Sequence, residues 1–240
     1  MSIDVFIIVA VTSFIQSIFG VGVLLFGTPL LLITGYGFID AILILLPISV
    51  LINSVQIAKD YRSVDFTFYK KLLVFAIPFV VVFLFLVTQV QINIGLIVGI
   101  FLIFVAAKDY SIKVHSALRV LVRYEKIYLI VMGVIHGLTN LGGSLLTAIV
   151  HSKEYEKDVT RVTVAVSYAT FAVFQMTTLF ASGRTVDMSL SRGGMYMIVG
   201  FVIFLLTEKF VYMDISNKAY SKYFSLFLFV AGVLLCVKSI

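Results

Sequence analysis

The chain has 240 residues, 61% of them hydrophobic and only 12% charged, with a mean hydropathy of +1.14. Soluble domains average about 45–50% apolar and about 25% charged, so this composition excludes an ordinary soluble fold. The net charge of +6 does not call for nucleic acid, because Lys and Arg fall in the links between apolar blocks, as positive-inside bias places them. The single cysteine, Cys236, excludes an intrachain disulfide. No basic n-region or small-residue cleavage site opens the chain, so no removable signal peptide is expected.

The expected fold class is an all-α integral membrane protein of about eight transmembrane helices. Ser2–Ile33 is one apolar stretch of 32 residues. As a straight helix it would run about 48 Å, against a hydrocarbon core of about 30 Å. With Gly20, Gly22, Gly27 and Pro29 inside it, a helix that breaks and restarts is expected, ending at Gly35-Tyr36-Gly37. Ala41–Ala58 is the second span, with Pro47 as an expected kink. Its Ser49, Asn53 and Gln56 are spaced four and three, so they share one helical face, which should look into the bundle. Lys59–Lys71 is a basic link. Spans three and four, Leu72–Val87 and Ile94–Ala107, flank the uncharged turn Thr88–Asn93. Gly95 and Gly99 form a G-x-x-x-G that admits a close neighbour.

Lys108–Lys126 is the longest and most basic link, and its 117–123 portion fits a short amphipathic surface helix. Span five, Ile127–Val150, is broken like the first. His151–Arg161 is a mixed-charge link. Val162–Ala181 is span six, polar on one side through Tyr168, Gln175 and Thr178. Gly193–Leu206 and Tyr223–Val237 complete the eight.

The chain repeats itself. At an offset of 120, Gln16 falls on His136, Gly20 on Asn140 and Gly22 on Gly142. At an offset of 122, Arg62-Ser-Val-Asp65 falls on Arg184-Thr-Val-Asp187, Asn53 on Gln175 and Gln56 on Thr178. The expected organisation is therefore a four-helix half at 1–110, a basic link at 111–126 and a second half at 127–240. Four spans per half is an even number, which gives two parallel repeats. Placing both termini in the cytoplasm puts twelve Lys and Arg inside against six outside. A first segment that re-entered without crossing would invert that assignment.

Ionisable groups in a span interior mark function, and only His136 falls well inside one. The bland reading of His136 is a neutral histidine bonded to a neighbouring carbonyl, and that of the glycine clusters is close helix packing. The functional reading is that restarting half-helices at Gly20–Gly22 and Asn140–Gly143 point free N–H groups and their positive dipole end at an anion. Gln16, Asn53, Asn140, Ser144, Thr147 and Gln175 would supply neutral hydrogen bonds, with no fixed cation in the interior. The candidate substrate-binding set is Gln16, Gly20, Gly22, Asn53, His136, Asn140, Gly142, Gly143, Ser144 and Gln175. Arg62/Asp65 and Arg184/Asp187 are read as helix-end braces. H-E-x-x-H, C-x-x-C, G-x-S-x-G and Walker A patterns are missing, so neither an enzyme nor a cofactor or metal site is expected.

The stretch Gln16-Ser-Ile-Phe-Gly20-Val-Gly22-Val-Leu-Leu-Phe-Gly-Thr-Pro29-Leu-Leu resembles the early Q-G-x-x-G-F-G-x-x-x-x-x-P-L-L signature of the TauE/SafE sulfite-exporter family, also called the toluene-sulfonate uptake permease family. Gly133-Val-Ile-His136-Gly137-Leu-Thr-Asn140-Leu-Gly142-Gly143 resembles its second-half G-x-x-H-G-x-x-G-x-G-G. Ser17, Val21 and Asn140 depart from the pattern. The resemblance covers essentially the whole chain and implies an inner-membrane permease for sulfite, a sulfonate or a related sulfur-containing anion. The expected partners are a small anionic solute and the bilayer, with a homo-oligomer left open. The competing reading is a non-transporting membrane scaffold or assembly subunit.

Overall fold

A computed structural model describes residues 2–90, 92–107, 122–185, 190–210 and 217–239. Every regular element among them is helical: α1 (Ile3–Phe19), α2 (Val23–Thr34), α3 (Phe38–Asp60), a 3-10 turn at Tyr61–Ser63, α4 (Phe66–Phe75), α5 (Ile77–Gln89), α6 (Ile94–Ala107), α7 (Glu125–Thr139), α8 (Gly143–His151), α9 (Lys157–Ala181), α10 (Leu190–Phe210) and α11 (Asn217–Ser239). Four helical stretches are long and apolar enough to cross a membrane: Phe38–Ser63, Phe66–Gln89, Lys157–Ala181 and Ser191–Glu208. Shorter apolar helices run at Ile3–Ile18, Val23–Thr34, Ile94–Ala107 and Ser225–Ser239. Most of the expected surface helix at 117–123 lies outside the described residues.

The apolar stretch Ser2–Ile33 breaks where expected, but it does not continue forward. Gly20 ends α1 at φ 75°, its N–H donating to the Gln16 carbonyl. The chain then folds back on itself: a Cβ on Gly22 would lie 2.5 Å from the Thr12 carbonyl oxygen and 2.6 Å from the Gln16 nitrogen. At the open end of this hairpin Ser2 Oγ meets Tyr36 OH at 2.5 Å, so residues 2 and 36 lie at the same end of the bundle. Pro29 therefore sits inside α2, and Pro47 inside an α3 that runs through it as one helix.

The same construction returns in α7–α8. Asn140 ends α7 at φ 60°, its N–H donating to the His136 carbonyl. A Cβ on Gly142 would lie 2.5 Å from His136 Cβ and 2.9 Å from the Met132 carbonyl oxygen. Glu125, at the start of α7, pairs with Lys153, just past α8, at 2.7 Å and with Lys71 of α4 at 2.5 Å. This second hairpin therefore opens at the opposite end, the one that α3 reaches at Asp60.

Each half thus consists of a hairpin and three through-running passes: α3, α4–α5 and α6, then α9, α10 and α11. Three is odd, so the second half runs inverted relative to the first. This fold-back turns each glycine-broken segment from a span into a hairpin, and the expected eight spans in two parallel halves are not confirmed.

The packing follows the same two-fold logic. Hairpin helix α1 lies on α10, where Gly200 is pressed against Val9, Ser13 and Ile48. Its counterpart α7 lies on α5, with Gly133 against the Ala76 backbone and Gly137 against Val80, Phe83 and Leu84. Helices α3 and α9 pack together, as do α6 and α11. Gly95 and Gly99 admit α11 closely, Gly99 facing Gly232 and Cys236, as the G-x-x-x-G anticipates. One hydrophobic core cluster draws residues from both halves, from Val5 to Leu235.

Candidate functional site

The residues singled out by the repeat form two matching hydrogen-bonded pairs. In the first half Gln16 Nε2 donates to Asn53 Oδ1 at 3.2 Å, while Asn53 Nδ2 donates to the Ser49 carbonyl and hydroxyl. In the second half His136 Nε2 lies 3.2 Å from Gln175 Oε1. With the amide oxygen facing the ring, Nε2 carries the hydrogen. All four side chains are buried. Ser49, Asn53 and Gln56 do look inward together, because a buried amide has no partner in lipid.

The pairs differ in how they treat the helix that restarts beside them. Gln16 Oε1 accepts the Val23 N–H at 2.9 Å and so caps α2 from the preceding helix. At α8 the Ser144, Leu145 and Leu146 N–H groups bond to the Leu141 and Gly142 carbonyls. The expectation that these restarting helices offer free N–H groups is corrected at those four positions: local bonds already occupy them. The Ser144 and Thr147 hydroxyls likewise donate to the carbonyls of Leu141 and Gly143.

Buried side-chain atoms without a hydrogen-bond partner remain at Gln175 Nε2, His136 Nδ1, Asn140 Oδ1, Ser13 Oγ and both amide atoms of Gln56. An unmade hydrogen bond on a buried polar atom costs about 1–3 kcal/mol, so each such group keeps capacity for water or a solute. The hairpins touch through Asn140 Nδ2, which donates to Thr28 Oγ1 of α2 at 2.8 Å.

One side chain escaped the sequence reading, and a second was read only as part of the polar side of span six. Arg161 belongs to the second turn of α9 rather than to a link, because that helix begins at Lys157. It pairs with the buried Glu208, which also binds Lys59. Tyr168 presses its hydroxyl into the space a side chain on Gly143 would need, and its ring lies edge-on to Phe171, which stacks on His136 at 4.3 Å. Arg161, Tyr168 and Gln175 are spaced by seven, two helical turns, and that spacing is the signal that places them on one stripe facing the hairpins.

The repeated Arg-x-x-Asp motif braces helix ends. Asp65 accepts the Thr67 and Phe68 N–H groups and caps α4. Burial pulls its carboxyl up, but the Tyr155 hydroxyl, the Phe68 and Thr67 N–H groups and the Lys153 charge together hold it below the ordinary carboxylate value. Arg62 donates to Tyr61 OH, and Arg184 to the Thr88 carbonyl, while Asp187 lies outside the described residues. Among the described residues no cluster of three metal-ligating side chains exists.

The family model of the sulfite exporter TauE/SafE matches residues 5–235. No match was found among curated proteins or among solved structures.

Proposed function

Because the chain belongs to the sulfite exporter TauE/SafE family, a family of membrane transporters, we propose that it moves a small anion of the sulfite or sulfonate class across the cytoplasmic membrane, by alternating access to a site between its two hairpins. The observation that carries this reading is the pair of glycine-turned hairpins reaching inward from opposite ends, with a buried amide or imidazole at the same position in each. Inverted repeats with broken helices at their interface are a transporter architecture, in which the repeats rock about a shared midplane site.

The proposed site comprises Gln16, Gly20, Gly22 and Asn53 from the half at 1–110, and His136, Asn140, Gly142, Gly143, Ser144 and Gln175 from the half at 127–240. Recognition rests on unpartnered side-chain amides, on Gln175 above all, and on the positive dipole ends of α2 and α8. Neutral donors hold an anion without the cost of a lone buried cation and release it readily.

The hairpins also change the reading of orientation. Among the described residues Lys59, Arg62, Lys70, Lys71, Arg123, Lys126, Lys153, Lys157 and Arg161 lie toward the end where α7–α8 opens. Only Arg184, Arg192 and Lys238 lie toward the end with the termini. Positive-inside bias then puts the first end in the cytoplasm and both termini outside, opposite to the count made with eight spans. A cysteine at Ser239 in a Cys236→Ser background should react with a membrane-impermeant maleimide in intact cells, and one at Ser63 should not.

The permease reading is tested by reconstituting the full chain in liposomes and following sulfite and methanesulfonate. Saturable movement of either supports it. If neither moves, and Gln16→Ala and His136→Ala leave the cellular phenotype intact, the protein is a scaffold.

A further inference from the structure

Among the described residues, a cluster of fixed charge lies at the tip of the first hairpin. Glu208, near the end of α10, has a side chain only 5% exposed and accepts Arg161 of α9 and Lys59 of α3 together. Arg161 is itself 16% exposed, while Lys59 is half-exposed and reaches solvent. Two cations share the Glu208 carboxylate. The cluster sits at the turn itself: a Cβ on Gly20 would lie 3.6 Å from Arg161 Cγ and 4.0 Å from Gln56 Nε2. Both Gln56 amide atoms are buried without a partner.

Building upward from those contacts, we propose that Arg161, Lys59 and Gln56 form an oxyanion-docking site at the cytoplasmic side of the pathway, where the transported anion takes the place of the Glu208 carboxylate. The proposal rests on the permease reading and on the orientation given above. Glu208 gives one carboxylate oxygen to Arg161 and the other to Lys59, and sulfite or a sulfonate offers oxygens at similar spacing to the same two cations, so Glu208 is a resident stand-in for the substrate. The Gln56 amide supplies the further donor that a two-oxygen carboxylate leaves unused and a three-oxygen anion fills. Lys59, at the water edge, draws anions inward.

The other half lacks this device. The residues 122 positions before Arg161 and Glu208 are Ile39 and Leu86. Among the described residues, this ion cluster thus has no counterpart at the repeat-related positions, which gives the pathway a loading side.

The test is sulfite flux into and out of liposomes carrying the full chain in one orientation, with initial rates measured against concentration on each face. Arg161→Gln should raise the half-saturating concentration at the Lys59 face by tenfold or more and leave the opposite face within about twofold. Glu208→Gln should lower it at the Lys59 face, because the competitor is gone, and Arg161→Lys should recover part of the loss. Equal effects on both faces, or an Arg161→Gln protein with unchanged half-saturation, would overturn the proposal in favour of a structural ion pair. If Arg161→Gln does not fold, Lys59→Gln and Glu208→Gln carry the same comparison. Wild-type protein that moves no anion sinks the permease reading separately. The docking site is then judged by melting of the solubilised protein: stabilisation by sulfite that Arg161→Gln or Lys59→Gln removes supports it, and no stabilisation of the wild type ends it.

Discussion

Hairpin α1–α2 turns at Gly20 and hairpin α7–α8 at Asn140, with φ 75° and 60° and the same backbone bond to the residue four before. Beyond that shared turn they are held differently. Gln16 spends both ends of its amide, one on the Val23 N–H and one on Asn53, so the first turn is locked to its own half. His136 caps nothing and leaves Nδ1 without a partner, as Gln175 does its Nε2. The open ends contrast too. Hydroxyl contacts among Ser2, Tyr36 and Asp4 and the Lys238 ammonium on the Leu32 and Ile33 carbonyls hold the first. A carboxylate between two lysines holds the second. Of the two polar pairs, the Gln16 pair therefore fixes its turn, and the His136–Gln175 pair keeps hydrogen-bonding capacity unspent.

The largest effects should come from the glycines that let each hairpin close. In Gly22→Val the new side chain meets backbone atoms of Thr12 and Gln16, which cannot yield, so a loss beyond about 3 kcal/mol is expected. Gly142→Val meets His136 Cβ at 2.5 Å but backbone atoms only at 2.9 and 3.1 Å, farther than at Gly22, and should cost somewhat less, about 2–3 kcal/mol. Unfolding of the detergent-solubilised variants measures both. If Gly142→Val costs more than Gly22→Val, the first hairpin is not the more tightly locked of the two.

Helix content, the breaks at both glycine clusters and the pairing of repeat positions were legible because each has a local cause in composition, in glycine or in spacing. Asn53 and Gln175 were matched by offset alone, and each is bonded to the matched partner, Gln16 or His136. The direction after each break was not legible. A glycine lets a chain bend forward or fold back equally well, and here the choice is made by contacts such as Ser2 with Tyr36 and Glu125 with Lys153, between residues no local pattern connects. Counting spans through that ambiguity gave eight and even halves, which the fold-back does not support. Arg161 was missed for a related reason, since helix α9 starts before the apolar run that marks it.

The two polar pairs should separate stability from transport. Gln16→Leu removes a cap worth about 1 kcal/mol and strands Asn53, so a loss of about 2–4 kcal/mol is expected. His136→Leu strands Gln175 but removes no cap, and about 1–3 kcal/mol is expected from unfolding curves. In flux the order should reverse, with His136→Leu the more damaging per unit of stability lost. Equal ratios in the two variants would dissolve the division into a fixing pair and a binding pair.

At the base of α4, Asp65→Ala should cost about 1 kcal/mol through loss of the cap. Because the folded carboxyl sits below its ordinary value, its contribution is complete above about pH 4 and disappears as pH falls through the lowered value. Wild type and Asp65→Ala should therefore converge in stability at acid pH. A gap that persists there would show that the loss is one of packing.

The smallest effect tests whether the two turns are interchangeable. Both require the left-handed region, which costs a residue bearing a Cβ about 1–2 kcal/mol unless it is Asn or Asp. Asn140 already shows that this fold accepts Asn there. A Cβ on Gly20 would meet only Arg161 Cγ and Gln56 Nε2, at ordinary contact distances. Gly20→Asn should therefore change stability by no more than about 0.5 kcal/mol, whereas Gly20→Ala should cost about 1 kcal/mol. The reciprocal Asn140→Gly keeps the turn but gives up the bond to Thr28, at about 0.5–1.5 kcal/mol. If Gly20→Asn instead costs as much as Gly20→Ala, the space beside Arg161 is closed to a polar side chain. A substrate docking there would then have to move more than the Glu208 carboxylate.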